Sequence, residues 1–170
     1  MAFAQRSRPL TEDEKSSDAV KARARALEIL ASQEIASGQL YERLCRRFTE
    51  QTAAQIVAEM VERQYLDDDR YAEVRARGLL AARKSRRAAA QNLRQKGLTP
   101  NQIQQALENV YTPDEEGEDP ELEAAASLVE SRYRSKLAAG RRDLVVAALM
   151  RRGFAYPVIK EAVRRIEEQE

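Results

Sequence analysis

In residues 93–107 the apolar side chains fall at Leu93, Leu98, Ile103, Ala106 and Leu107, with Lys96-Gly97 between the first two. The same spacing returns fifty-six residues later as Leu149, Phe154, Ile159, Ala162 and Val163, with Arg152-Gly153 in the matching place. A repeat that keeps its apolar positions while its polar ones drift marks a structural unit used more than once. Each copy reads as a helix end, a turn and a new helix. Lys96 opposes the dipole in the last turn, and Gly97 takes the left-handed cap conformation. Leu98 then folds back into the core. Thr99 caps the next helix, Pro100 fills its first position, and Ile103, Ala106 and Leu107 form its buried stripe.

A longer helix precedes each pair. One starts at Asp67-Asp68-Asp69, carries Tyr71, Val74 and Leu79, and frays near Lys84. The other runs from Pro120 through Leu122, Leu128, Val129 and Tyr133, with Asp119 as its N-cap. A fainter first copy lies at residues 40–48, LYERLCRRF, where Leu40, Leu44 and Phe48 recur at helical spacing and Ile56 and Met60 follow on the next helix. No stretch alternates long enough to predict a strand. The expected fold is all-α, a tandem array of three three-helix units with nine helices. The boundaries read as a mobile segment 1–16, unit one 17–65, unit two 66–111, an acidic linker 112–119 and unit three 120–170.

Composition changes this picture little. The chain has 170 residues, 43% of them hydrophobic, with no Trp and three Phe, which fits several small cores better than one large one. It contains no His, which removes imidazole catalysis and His-bound metals. The single Cys45 has no base of that kind to activate it and reads as a small core residue. The carboxylates of Asp67, Asp68 and Asp69 are read as a helix N-terminus rather than a Mg²⁺ ligand set. Single scattered glycines form no phosphate loop. No catalytic residue, metal or cofactor is therefore expected. The absence of a membrane-length apolar run and of a signal segment predicts a cytoplasmic protein.

Charge is more informative than its +1 sum. Residues 74–98 hold eight basic residues and no acidic one, whereas residues 108–123 hold eight acidic and no basic ones. Arg132, Arg134, Lys136, Arg141 and Arg142 restore a positive block. The basic runs lack the i±4 acidic neighbours of an inert surface helix, and they recur at matching places in units two and three. Arg86 and Arg87 match Arg142, and Lys96 matches Arg152. A polyanion-binding surface is predicted from Arg83, Lys84, Arg86, Arg87, Arg94, Lys96, Arg132, Arg141, Arg142, Arg151 and Arg152. Such a surface meets backbone phosphates or an acidic protein groove, since few aromatics are interleaved for base stacking. The linker acids Glu115, Glu116, Glu118 and Asp119 would compete for the same cations.

The segment QYLDDDRYAE at residues 64–73, with LRQKGL and LMRRGF, resembles the RecX family of bacterial recombination regulators. The resemblance covers residues 20–168. It implies an elongated, curved array of three-helix units without catalytic residues or cofactor. It also implies binding to the RecA recombinase, chiefly to its filament on single-stranded DNA, and restraint of its ATPase, strand-exchange and coprotease activities in DNA repair and the SOS response. A monomer is the expected state. Gln64 stands where the family has glycine, and Asn92 where it has glutamate. Gln33, Ala36 and the lack of a glycine after Arg47 are further departures, in unit one. Two other readings fit the residues: a DNA-binding protein built of helix-turn-helix-like units, and a protein-interaction scaffold.

Overall fold

The computed structural model describes residues 8–113, 117 and 119–168. The chain divides into two compact units, Met1–Asp68 and Asp69–Glu170.

In the first unit a 3-10 turn, Glu12–Glu14, precedes α1 (Ala19–Ser32), α2 (Ser37–Leu44) and α3 (Glu50–Glu62). Asp18 and Thr49 cap α1 and α3 by accepting backbone N–H bonds in their first turns. The apolar positions Ala22, Ala26, Ile29, Leu40, Leu44, Phe48, Ile56 and Met60 close over one core, against which Cys45 is half-buried. Arg23 on α1 binds Glu59 on α3 through paired hydrogen bonds of 2.8 and 2.9 Å, and Arg63 adds a second cation at 2.9 Å. Of the segment expected to be mobile, residues 1–7 lie outside the described ones. The remainder is tied to the α2–α3 turn: Ser16 exchanges backbone hydrogen bonds with Arg47 and Thr49, and Glu12 accepts from the Glu50 amide at 2.8 Å.

The second unit holds two further triplets. The first is α4 (Asp68–Ala81, whose opening residue belongs to the first unit), α5 (Arg86–Gln95) and α6 (Pro100–Tyr111). The second begins with α7 (Pro120–Leu128), which runs through a π turn, Val129–Tyr133, into α8 (Arg134–Ala138). It continues with α9 (Arg142–Arg151) and α10 (Tyr156–Glu167). Since α7 and α8 form one continuous rod, the described residues contain nine helices, and their only extended pairing is one bridge between Ser16 and Phe48. The all-α reading holds. Thr99 and Gln102 form a capping box with Pro100 in the first turn of α6, and Asp119 caps α7 ahead of Pro120. Gly97 and Gly153 sit at φ of 81° and 90°, the left-handed caps that the repeat predicts.

Several details differ from the sequence reading. On α4 the buried face is Ala72, Ala76 and Leu79, while Val74 is exposed. The stripe is made of alanines, which are weak markers of a face in a periodicity count. Half of the acidic linker, residues 114–116 and 118, lies outside the described residues.

Candidate polyanion-binding site

The ends of the helices decide where the cations go. α4 stops at Ala81, and Arg83 takes the left-handed conformation at φ 56° while the Lys84 amide donates to the Leu79 carbonyl at 3.0 Å. A side chain in this region costs on the order of 1–2 kcal/mol relative to ordinary helix geometry, which is why glycine occupies it elsewhere. Tyr111 then fixes the exit, donating from its buried hydroxyl to the Lys84 carbonyl at 3.0 Å. Burial, helped by the nearby Glu121, pushes the Tyr111 phenol far above its ordinary range, so it stays protonated and donates. Ser85 follows as the N-cap of α5. It is fully buried, accepting from the Ala88 amide at 3.1 Å and donating to the Arg152 carbonyl at 2.9 Å. That bond seats the α9–α10 turn against the start of α5, where a Cβ on Gly153 would lie 2.8 Å from Ser85 Oγ and 3.6 Å from Arg87 Cβ.

The result is a cleft of about 390 Å³ walled by Arg83, Lys84, Arg132 and Arg152 with Ala81, Ala82 and Leu128. No carboxylate of the described residues lines it. The π turn of the long rod supplies both Arg132 and the groups that aim two other cations. Arg83 Nη1 donates to Ser131 Oγ at 2.9 Å, and Arg152 Nε donates to the Tyr133 hydroxyl at 3.3 Å. Lys136 lies 5.7 Å over the Tyr133 ring. Two of the four cations thus come from the second triplet of the chain and two from the third.

The other predicted residues divide. Arg86 and Arg87 occupy the first turn of α5, Arg94 its last turn and Lys96 its C-cap. Arg151 ends α9 and is exposed. Arg142, at the position matching Arg86, is engaged with Glu167 at 2.8 Å, and Arg141 lies 3.8 Å from Asp143. The expectation that the basic runs lack acidic helical neighbours fails at Arg77, which pairs with Glu73 one turn earlier, just outside the acid-free block, and at Arg134, which pairs with Glu130. Sequence reasoning gave Ser131, Tyr133, Ser85 and Glu121 no part in the site. Their roles come from contacts across tens of residues, and no local pattern carries that signal.

Among the described residues no helix is long and apolar enough to cross a membrane, and no three His, Cys, Asp or Glu residues cluster as metal ligands. Asp68 instead accepts from the Ser37 amide at 2.8 Å and from the Ser37 hydroxyl, so it closes the N-terminus of α2.

Residues 67–107 match the family model described as RecX, second three-helix domain. Regulatory protein RecX of Trichlorobacter lovleyi is 32% identical over 146 residues, covering 80% of this chain and 89% of that protein. The chain belongs to the RecX family. Regulatory protein RecX of Halorhodospira halophila is 30% identical over 148 residues, covering 85% of this chain and 88% of that one. The crystal structure of RecX from Lactobacillus salivarius shares the fold, with a TM-score of 0.76 at 21% identity over 88% of this chain and 97% of that chain. A second RecX crystal structure aligns with a TM-score of 0.71 at 26% identity, over 84% of this chain and 71% of that chain. The RecX domain match spans α4, α5 and the turn between them, and therefore Arg83, Lys84, Arg86, Arg87, Arg94 and Lys96.

Proposed function

We propose that this RecX-family chain is a non-enzymatic negative modulator of the RecA recombinase. It binds the RecA filament on single-stranded DNA through the basic face of its second unit. It thereby restrains the ATPase, strand-exchange and coprotease activities of the filament, and it works in the cytoplasm without a cofactor. Membership in a family of regulatory proteins supports the class of role. The observation that carries the reading is the convergence of Arg83, Lys84, Arg132 and Arg152 on one cleft with no acidic wall among the described residues. Helix dipoles explain part of it, because Arg83, Lys84 and Arg152 follow the C-termini of α4 and α9. They leave Arg132 unexplained, since it lies inside a continuous rod. Like charges gathered in one concavity repel one another and favour an anionic partner.

The test is the ATPase of RecA on single-stranded DNA with and without this protein. The expected result is a concentration-dependent loss of hydrolysis. Hydrolysis unaffected at any concentration of the folded protein rejects the proposal. Tight binding to DNA in the absence of RecA, with RecA hydrolysis unaffected, would favour the helix-turn-helix reading instead.

A further inference from the structure

Two of the four cations of the cleft, Arg83 and Arg152, are held in direction, and none of the four pairs with a carboxylate among the described residues. Arg83 and Arg152 each spend one of the five guanidinium donors on a hydroxyl, Ser131 Oγ and the Tyr133 phenol, and none on a carboxylate of the described residues. Elsewhere in the unit the habit differs: Arg142 binds Glu167, and Arg164 binds both Glu161 and Glu168. A hydroxyl fixes the direction of a guanidinium yet leaves its charge and remaining donors available, which is the preorganisation a bound anion needs. Two departures from regular backbone meet at the same place. One is the left-handed Arg83, and the other is the π turn that carries Ser131, Arg132 and Tyr133. Local strain and π turns gather at sites of function.

We propose that this cleft is a seat for the phosphodiester backbone of a nucleic-acid strand, a proposal that deepens the filament-binding reading and rests on it. The volume of about 390 Å³ accommodates a phosphate with several waters, each water needing roughly 30 Å³. The cations do not stop at the rim. Arg87 flanks the α9–α10 turn beside Arg152, its Cβ 3.6 Å from where a side chain on Gly153 would begin. A strand carrying one charge per nucleotide follows such a line, whereas a single inorganic anion or one protein carboxylate fills only the cleft. Among the described residues no aromatic side chain lines the cleft, and the Tyr133 ring beside it carries Lys136 over its face. The contact is therefore made to the backbone and is independent of base sequence.

The test uses the full chain and a labelled oligothymidylate, with affinity measured by fluorescence anisotropy across a range of salt. Lys84→Gln with Arg132→Gln removes two cations whose side chains hold no other described residue. The slope of log affinity against log salt should flatten by about 1.4, at about 0.7 per lost phosphate contact on a single strand. An unchanged slope and affinity overturns the proposal. Ser131→Ala with Tyr133→Phe removes the orienting hydroxyls and no charge. It should lower affinity several-fold at an unaltered slope, and full affinity would overturn the orienting role. Inorganic phosphate should compete only in large excess over nucleotide. Competition at parity would assign the cleft to a free anion and overturn the nucleic-acid seat. The same variants in the RecA ATPase assay separate the two proposals. A flattened slope with wild-type inhibition upholds the phosphate seat and rejects this face as the filament-binding one. Lost inhibition with an unaltered slope places carboxylates of RecA in the cleft and overturns the seat alone.

Discussion

The backbone amide of Arg86, at the start of α5, donates to the side chain of Glu121 on α7 at 2.9 Å. One repeat earlier the amide of Ser37, at the start of α2, donates to Asp68 on α4 at 2.8 Å. In both places a carboxylate from the first helix of one triplet satisfies a free N–H at the second helix of the triplet before it. Helix N-termini leave such donors unpaired and favour negative charge, so the Arg86–Glu121 bond ties the second and third triplets within the second unit, while the Ser37–Asp68 bond lies within the first unit.

Glu121 bears a cost for the arrangement. Burial raises its pKa above the ordinary carboxylate range, Asp119 adds to the rise, and the Arg86 amide and charge only partly oppose it. Glu121→Gln keeps an acceptor for the amide without burying a charge, so it should match or exceed wild-type stability at neutral pH. A folded-state pKa above the unfolded one, about 4.3 for Glu, means that the wild-type penalty exists in full above the raised value. It disappears as pH falls below the unfolded one. The advantage of the Gln variant should shrink in that direction, and urea midpoints from pH 7 to pH 4 check it. Glu121→Ala should destabilise at every pH, because it orphans the amide, by about 1–2 kcal/mol.

Glu59 behaves in the opposite sense. Its hydrogen bonds from Arg23, and then the charges of Arg23 and Arg63, hold its pKa below the ordinary range. Its contribution to the first unit is present at neutral pH and is lost as pH falls through the carboxylate range. Glu59→Gln should therefore lower the denaturation midpoint at pH 7 and lose that effect toward pH 3. A difference of constant size across this range would contradict the pairing.

Gly97 and Gly153 hold the same place in the repeat and both have positive φ, but a Cβ on Gly153 also meets Ser85 Oγ at 2.8 Å. That oxygen is locked by two hydrogen bonds. Gly153→Ala should cost more than the roughly 1 kcal/mol of left-handed strain alone, and Ser85→Ala should cost about 1–2 kcal/mol as a lost cap and a lost buried bond. Chemical denaturation of both variants is the check. Equal midpoints for Gly153→Ala and wild type would contradict the close fit.

Gln64 and Arg83 occupy left-handed caps at φ 61° and 56°. Glycine at either should stabilise by up to about 1 kcal/mol. The two should differ in function: Gln64→Gly leaves RecA inhibition intact, whereas Arg83→Gly weakens it while the protein becomes more stable. A gain of stability with full inhibition at Arg83 would remove that side chain from the binding face.

Much of the fold was legible because its signals are local. Thr99-Pro100, Asp119-Pro120 and the paired glycines announce helix ends within a few residues, and the spacing of Leu93, Leu98 and Ile103 survives in Leu149, Phe154 and Ile159. The left-handed turns at Gln64 and Arg83 were hidden because neither is glycine. Nothing in VESRY distinguishes a π turn from ordinary helix. The candidate site was legible as charge but not as shape. The repeat placed Arg142 with Arg86 and Arg87 in one predicted surface of eleven cations, while folding draws Arg142 into a pair with Glu167 and collects only Arg83, Lys84, Arg132 and Arg152 in the cleft, from segments up to sixty-nine residues apart.

The most direct test is the ATPase of RecA filaments on single-stranded DNA, titrated with wild type and with Lys84→Glu, Arg87→Glu, Arg132→Glu. Circular dichroism first establishes that the variant is folded. The concentration for half-inhibition should rise at least about tenfold for the variant, equivalent to about 1.4 kcal/mol of lost binding. A folded variant that inhibits RecA at the wild-type concentration would contradict the basic cleft as the working surface of this protein.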